Sequence, residues 1–238
     1  MDRKIESIDV QKQAELSPVS KESSVGFVLI FVAGWINIQG IKLGLIDSLS
    51  YMTGRGVRIG TAMFEGDPVA LMYVLVSLAA FIFGSYFGAR VTAKKGIGQA
   101  LLLTASFLAI VASAVTMYDL QTIPDESAVQ TISKIFVILA MGTMNGATSM
   151  TRVGRTTHLT GTATDIGLNL ALGKKKTALF HLLRWVGFFM GAFVAICFHV
   201  VAASFGYPRS ILAWVPTVIV AAEGVLLTIK KDRIQVIL

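Results

Sequence analysis

Two ten-residue stretches hold the polar groups best placed for chemistry: YMTGRGVRIG at 51–60 and HLTGTATDIG at 158–167. Thr53, Gly54, Ile59 and Gly60 recur as Thr160, Gly161, Ile166 and Gly167, at an offset of 107. Their surroundings, residues 43–64 and 153–172, are too polar for lipid-facing helices and too apolar for loops. A threonine–glycine step that breaks a helix at membrane depth leaves free N–H and C=O groups beside a hydroxyl, a terminus that binds ions or polar solutes. The other reading is a wetted turn whose threonines cap the next helix. The same offset aligns Arg58 with Asp165, and opposite charges would offset each other's desolvation if the two copies met. Asn37 and Asn145 add neutral polar groups in flanking apolar runs. The candidate solute-binding set is therefore Asn37, Thr53, Gly54, Arg58, Asn145, Thr160, Gly161 and Asp165. Arg184 and Glu223 are ionisable groups within apolar runs and form a candidate ion pair, either a gate that opens in one state or a static brace.

These groups need a scaffold, and the composition says which kind. Of 238 residues, 54% are hydrophobic and 15% charged, with a mean hydropathy of +0.71. A soluble domain carries about 25% charged residues, so the chain reads as a membrane protein. Apolar runs at 23–41, 68–89, 96–118, 135–151, 185–208 and 210–229, the last broken only by Glu223, are six candidate spans. Each approaches the ~20 residues that cross a hydrocarbon core, too long for the ~10-residue alternating strands of a membrane barrel. The expected fold is all-α: six transmembrane helices as two inverted-topology three-helix repeats, each with a Thr-Gly broken or re-entrant segment after its first helix. The repeats would occupy 23–118 and 135–229, joined by an external connection at 119–134 and flanked by cytoplasmic tails at 1–22 and 230–238.

The net charge of +7 follows this layout. Arg90, Lys94 and Lys95, the 152–176 stretch and the tail after 229 are cation-rich, whereas 47–67, 119–134 and 204–210 are poorer in cations. The positive-inside bias places both termini in the cytoplasm, at an inner (plasma) membrane. The charge is topological, so nucleic acid is not an expected partner. Cys197 is the only cysteine, which excludes internal disulfides and thiolate clusters. No phosphate-binding loop, nucleophile elbow, dinucleotide fingerprint or zinc-protease helix is present, so neither enzyme activity nor a cofactor is expected. Gly84/Gly88, Gly142/Gly146 and Gly187/Gly191 are small-x-x-x-small pairs that allow close helix crossings, within one subunit or across a homodimer.

The order of four elements resembles a known family. Gly34-Trp35-Ile36-Asn37 is similar to a G-x-x-D element, Met52-Thr53-Gly54 to an M-T-G-N motif, Gly142-Thr143-Met144-Asn145 to G-x-x-N, and Thr160-Gly161 through Gly167 to a second Thr-Gly motif. Together they resemble the bacterial membrane proteins of domain of unknown function 1275 (DUF1275), also called the YoaK or UPF0700 family, over residues 25 to 229. The resemblance implies a six-span protein and loosely implies transport. Asn37 stands where the family has Asp and Arg55 where it has Asn, which separates this chain from any proton or cation coupling its relatives share. The expected function is a small secondary transporter or facilitated-diffusion carrier for a small polar, anionic or zwitterionic solute. A channel and a non-transporting scaffold are the alternatives. Membrane lipid and the solute are the expected partners.

Overall fold

The computed structural model describes residues 21–42, 52–123, 125–151, 153–157 and 159–229. They form eight helices: α1 (Lys21–Lys42), α2 (Met52–Glu65), α3 (Pro68–Lys95), α4 (Ile97–Asp119), α5 (Glu126–Ser149), α6 (Leu159–Ala171), α7 (Lys175–Ser204) and α8 (Ser210–Ile229).

Five of these, α3, α4, α5, α7 and α8, are long and apolar enough to cross a membrane, which corrects the six spans expected from the hydropathy. The described apolar part of α1 is Ser24–Gly40. Its apolar residues are buried in the bundle, with Leu29, Ile30, Val32 and Ala33 fully covered. Five long helices do not divide into two three-span units, so the two inverted triads are not this fold. The expected broken segments also differ. Residues 43–51 lie outside the described residues, but α2 and α6 are continuous helices with Thr53-Gly54 and Thr160-Gly161 in their first turns. A glycine is tolerated there because first-turn N–H groups have no intrahelical partner in any case.

Local chemistry sets the helix ends. Asp67 caps α3 by accepting from the N–H groups of Val69 and Ala70, both at 3.0 Å, with Pro68 supplying a first residue that needs no donor. Asp125 caps α5 through the Ser127 N–H at 2.9 Å. Hydrogen bonds from Ser127, side chain and backbone, hold the Asp125 carboxyl below its ordinary range. Gly96, at φ 88, is the whole link between α3 and α4, and its N–H closes on the Thr92 carbonyl.

Helix packing is organised by glycine. A side chain at Gly34 would overlap the Phe188 carbonyl, and one at Gly191 the Phe31 carbonyl, so α1 and α7 meet backbone to backbone. Gly142 and Gly146 meet the Phe81 and Ser85 carbonyls in the same way, while Gly84 and Gly88 meet those of Leu139 and Thr143, which joins α3 to α5. Gly98 and Gly224 bring α4 against α8. The buried stripe of α3, Val74, Ser77, Ala80, Gly84, Gly88 and Thr92, runs at helical spacing and shrinks from Val to Gly where the crossing is closest. All three small-residue pairs anticipated above are thus used inside one chain. The larger residues of α3 and α7, among them Phe83, Phe87, Phe193 and Val200, face outward where lipid would cover them.

These contacts also fix direction. From Phe27 at Gly187, through Phe31 at Gly191, to Trp35 at Phe198 (5.5 Å), the numbers rise together, so α1 and α7 are parallel. The pairs Phe81–Gly142 and Ser85–Gly146 make α3 and α5 parallel too. In contrast, Gly98 meets Gly224 while Thr116 meets Trp214, so α4 and α8 are antiparallel. The starts of α1, α4 and α7 and the ends of α3, α5 and α8 therefore share one face of the bundle.

Pro216 lies inside α8 and has no N–H, which leaves the Leu212 carbonyl without its helical partner. The indole Nε1 of Trp35 in α1 donates to that carbonyl at 3.1 Å, across 177 residues of sequence. Trp35→Phe keeps the ring packing but orphans a buried acceptor, and should cost about 1–3 kcal/mol in unfolding measured in detergent. In a Pro216→Ala background the helix would satisfy Leu212 itself, so the same substitution should then cost clearly less. Equal losses in both backgrounds would refute the assigned role of Trp35.

Candidate functional site

The two Thr-Gly elements do not come together. Helix α2 packs on α3 and α6 packs on α7, and no contact joins α2 to α6 among the described residues. Thr53 and Gly54 sit in the first turn of α2, with Gly54 half-buried; the Thr53 side chain lies outside the described set. Thr160 and Gly161 are exposed on α6, and a side chain at Gly161 would meet nothing within 4 Å. Arg58 is exposed on α2 and Asp165 is half-buried on α6, facing α7 rather than α2. Asn37 is buried, its Nδ2 donating to the Ala33 carbonyl of its own helix at 2.7 Å.

What the fold does gather is a polar cluster where α5 ends and α7 begins. Arg184 lies nine residues after Lys175, about 14 Å along α7, and is 5% exposed. Its Nη2 donates to the Arg155 carbonyl, its guanidinium lies 5.3 Å from the Phe180 ring centre, and Asp165 and His181 are within electrostatic reach. Gly154, at φ 69, lets the loop pass close to the guanidinium: a side chain there would sit 3.4 Å from Nη1. The loop is anchored to α5 by threonines. Thr148 bonds Thr156 at 3.3 Å and the Asn145 carbonyl at 3.3 Å, and Thr151 bonds the Thr148 carbonyl at 2.9 Å.

Within this cluster several buried polar atoms have no partner: Arg184 Nε, His181 Nδ1, Thr157 Oγ1 and, deeper in α5, Asn145 Oδ1. Of the expected site residues, Asp165 lies within electrostatic reach of Arg184, and Asn145 touches the loop anchor only through its backbone carbonyl. Glu223 is half-buried on α8, and the Arg184 charge is met by the Arg155 carbonyl, the Phe180 ring and Asp165. Among the described residues, no contact joins α2 to α6, and Arg184 donates to the Arg155 carbonyl rather than to a carboxylate. The expected pairs, Arg58 with Asp165 and Arg184 with Glu223, rested on chain position alone, which says nothing about where a long side chain turns. The threonines at 148, 151, 156 and 157 are not among the expected site residues, although T-S-M-T-R-V-G-R-T-T at 148–157 packs five hydroxyls, one glycine and two arginines into ten residues.

At the opposite face the structure holds a second cationic group, Arg55 of α2 with Lys134 of α5, both against Tyr73 of α3. The sequence offered Arg55 as a mismatch within the Thr-Gly motif and as one of several cations favouring an anionic solute. Its burial, 2% exposed, is a product of how α2 lies on α3. On the same face a void of about 20 Å³ beside Ser133, Glu126 and Arg209 has room for one water.

A family profile described as protein of unknown function (DUF1275) matches residues 25–225, which takes in α1 through most of α8. No curated protein and no solved structure matches the chain. With five helices fit to span a bilayer and a family match over most of its length, this is a multi-pass α-helical membrane protein, and it belongs to the DUF1275 family.

Proposed function

We propose that the chain is a small secondary transporter or facilitated-diffusion carrier for a small polar solute, exposing an interior site alternately to the two faces of the membrane. The observation that carries this reading is the Arg184 cluster. One turn of a long apolar helix holds a buried guanidinium and a half-buried imidazole, each with a buried nitrogen lacking a partner, and Thr157, in the loop that Arg184 binds, adds an unpartnered hydroxyl. Ionisable groups at membrane depth are costly and mark solute or proton paths. Buried polar atoms left unmatched by the protein are matched by water or ligand. The cationic character of Arg184 favours an anionic or zwitterionic solute.

The test is flux in proteoliposomes, screened against carboxylic acids, amino acids and inorganic anions. Saturable uptake is expected, with Arg184→Gln lowering it at least tenfold while the protein remains folded. Uptake that rises linearly with concentration would replace the carrier with a channel. No flux of any class would overturn transport and leave a scaffold or assembly role.

The orientation completes the proposal. Lys94, Lys95 and Lys174 to Lys176 lie at the face that also holds the Lys21 end of α1 and the Ile229 end of α8, whereas Asp67, Asp119, Asp125 and Glu126 lie at the other. By the positive-inside bias the first face is cytoplasmic and the membrane is the bacterial inner membrane, with both termini inside. Ser127, exposed in the first turn of α5, gives a direct check. In a background with Cys197 replaced, Ser127→Cys should react with a membrane-impermeant thiol reagent in whole cells. Reaction only after lysis would reverse the orientation.

A further inference from the structure

Arg55 is, among the described residues, a buried charge, 2% exposed, whose three guanidinium nitrogens, Nε, Nη1 and Nη2, have no hydrogen-bond partner. Its described neighbour is the face of Tyr73, 5.7 Å from the ring centre. A second cation, the Lys134 ammonium, lies 5.2 Å from the centre of the same ring. A ring quadrupole attracts a cation, but by far less than removing a charge from water costs even after relaxation. A like charge on the same ring adds repulsion. Helix geometry works in the same direction: Arg55 is in the first turn of α2, which contains no acidic residue, so its charge adds to the positive end of the helix dipole. Tyr73 is five residues into α3 and Lys134 eight into α5, which puts the group about 8–12 Å inside the helix ends.

We propose that Arg55 and Lys134, both against Tyr73, form a binding site for a compact oxyanion, a carboxylate or a phosphate. The chemistry is specific to that class. A guanidinium presents parallel N–H donors that match two oxygens of a carboxylate or phosphate, and an ammonium adds a point charge to the same anion. The first-turn N–H groups of α2 and the dipole behind them favour negative charge at the same spot. An anion would supply acceptors for three unpartnered donors and separate two cations. Two sources offer this chemistry: a free oxyanion entering from that face, and the phosphate of a lipid headgroup reaching in between α2 and α3.

The experiment is equilibrium binding to the full chain, read as the shift in thermal unfolding, since a ligand that binds only the folded state raises its stability. One arm titrates detergent-purified protein with inorganic phosphate, sulfate and acetate. The other compares nanodiscs of phosphatidylcholine with and without phosphatidylglycerol. Stabilisation in the first arm identifies a free oxyanion; stabilisation confined to the second identifies a lipid phosphate. Either supports the site, provided that Arg55→Met abolishes the shift and Lys134→Ala weakens affinity at least fivefold. Without anion, Arg55→Met should melt no lower than the wild type, because it removes an uncompensated buried charge at similar volume. No stabilisation in either arm, or an undiminished shift in Arg55→Met, would overturn the site. If Arg55→Met fails to fold, Lys134→Ala decides, and wild-type affinity in that variant overturns it. Binding is read here without flux, so a null transport result leaves this site standing, and a null binding result leaves transport through the Arg184 cluster standing.

Discussion

Gly191→Val and Gly146→Val are each expected to abolish a folded, monodisperse protein, the largest effect of any single substitution considered. At both positions the new Cβ would overlap a carbonyl of the facing helix, Phe31 for Gly191 and Ser85 for Gly146. Backbone cannot yield as a flexible side chain can, so the helices must separate along their length. Overpacking a core costs about 1–3 kcal/mol when side chains can shift; here two helices must move, and the loss should exceed that range. In a bilayer the damage is not offset by a hydrophobic drive between helices, because lipid is as apolar as the partner, and association depends on close packing. Gly56→Ala and Gly60→Ala on α2 are the controls. A Cβ there meets nothing within 4 Å, and replacing glycine in an open helix should stabilise by about 0.5–1 kcal/mol. Unfolding in detergent, monitored by circular dichroism and size exclusion, separates the two outcomes. A folded Gly191→Val protein with wild-type stability would refute the crossing geometry.

Asp165→Ala is expected to destabilise by about 2 kcal/mol, because it removes the carboxylate that faces the buried Arg184. Breaking a fully buried pair costs about 3–5 kcal/mol, and the half-buried position of Asp165 reduces that figure. A double-mutant cycle gives the sharper reading. Arg184→Met with Asp165→Ala should recover about 0.5 kcal/mol or more relative to additivity, as charges within electrostatic reach do. The cycle of Arg58 with Asp165 should be additive to within about 0.5 kcal/mol, since α2 and α6 do not touch. Coupling in the Arg58 cycle and none in the Arg184 cycle would reverse this assignment of partners.

The sequence by itself determined that the chain lives in a membrane, and it located the long helices to within a turn or so at most ends. Each residue's transfer from water to hydrocarbon contributes independently, so a sum along the chain is enough. It also marked Asn145, Asp165 and Arg184, because a polar group in an apolar run is visible without knowing its neighbours. Two helices began earlier than the apolar runs suggested. Helix α5 starts at Glu126 rather than 135 and α7 at Lys175 rather than 185, since a cap such as Asp125 and a lysine-rich first turn extend a helix into water without changing its hydropathy. The same blindness produced the sixth span. A sum along the chain counts α1 as one more apolar run, while its position beneath α7 depends on Gly34 and Gly191 each meeting the backbone of the facing helix. Only the tertiary structure decided which charges meet. Arg58, Asp165, Arg184 and Glu223 were visible as ionisable groups, but pairing is a two-body property set by helix direction and side-chain reach. So too is the burial of Arg55, an ordinary first-turn residue of a short helix until α2 folds onto Tyr73 and brings it within reach of the ring that Lys134 also faces.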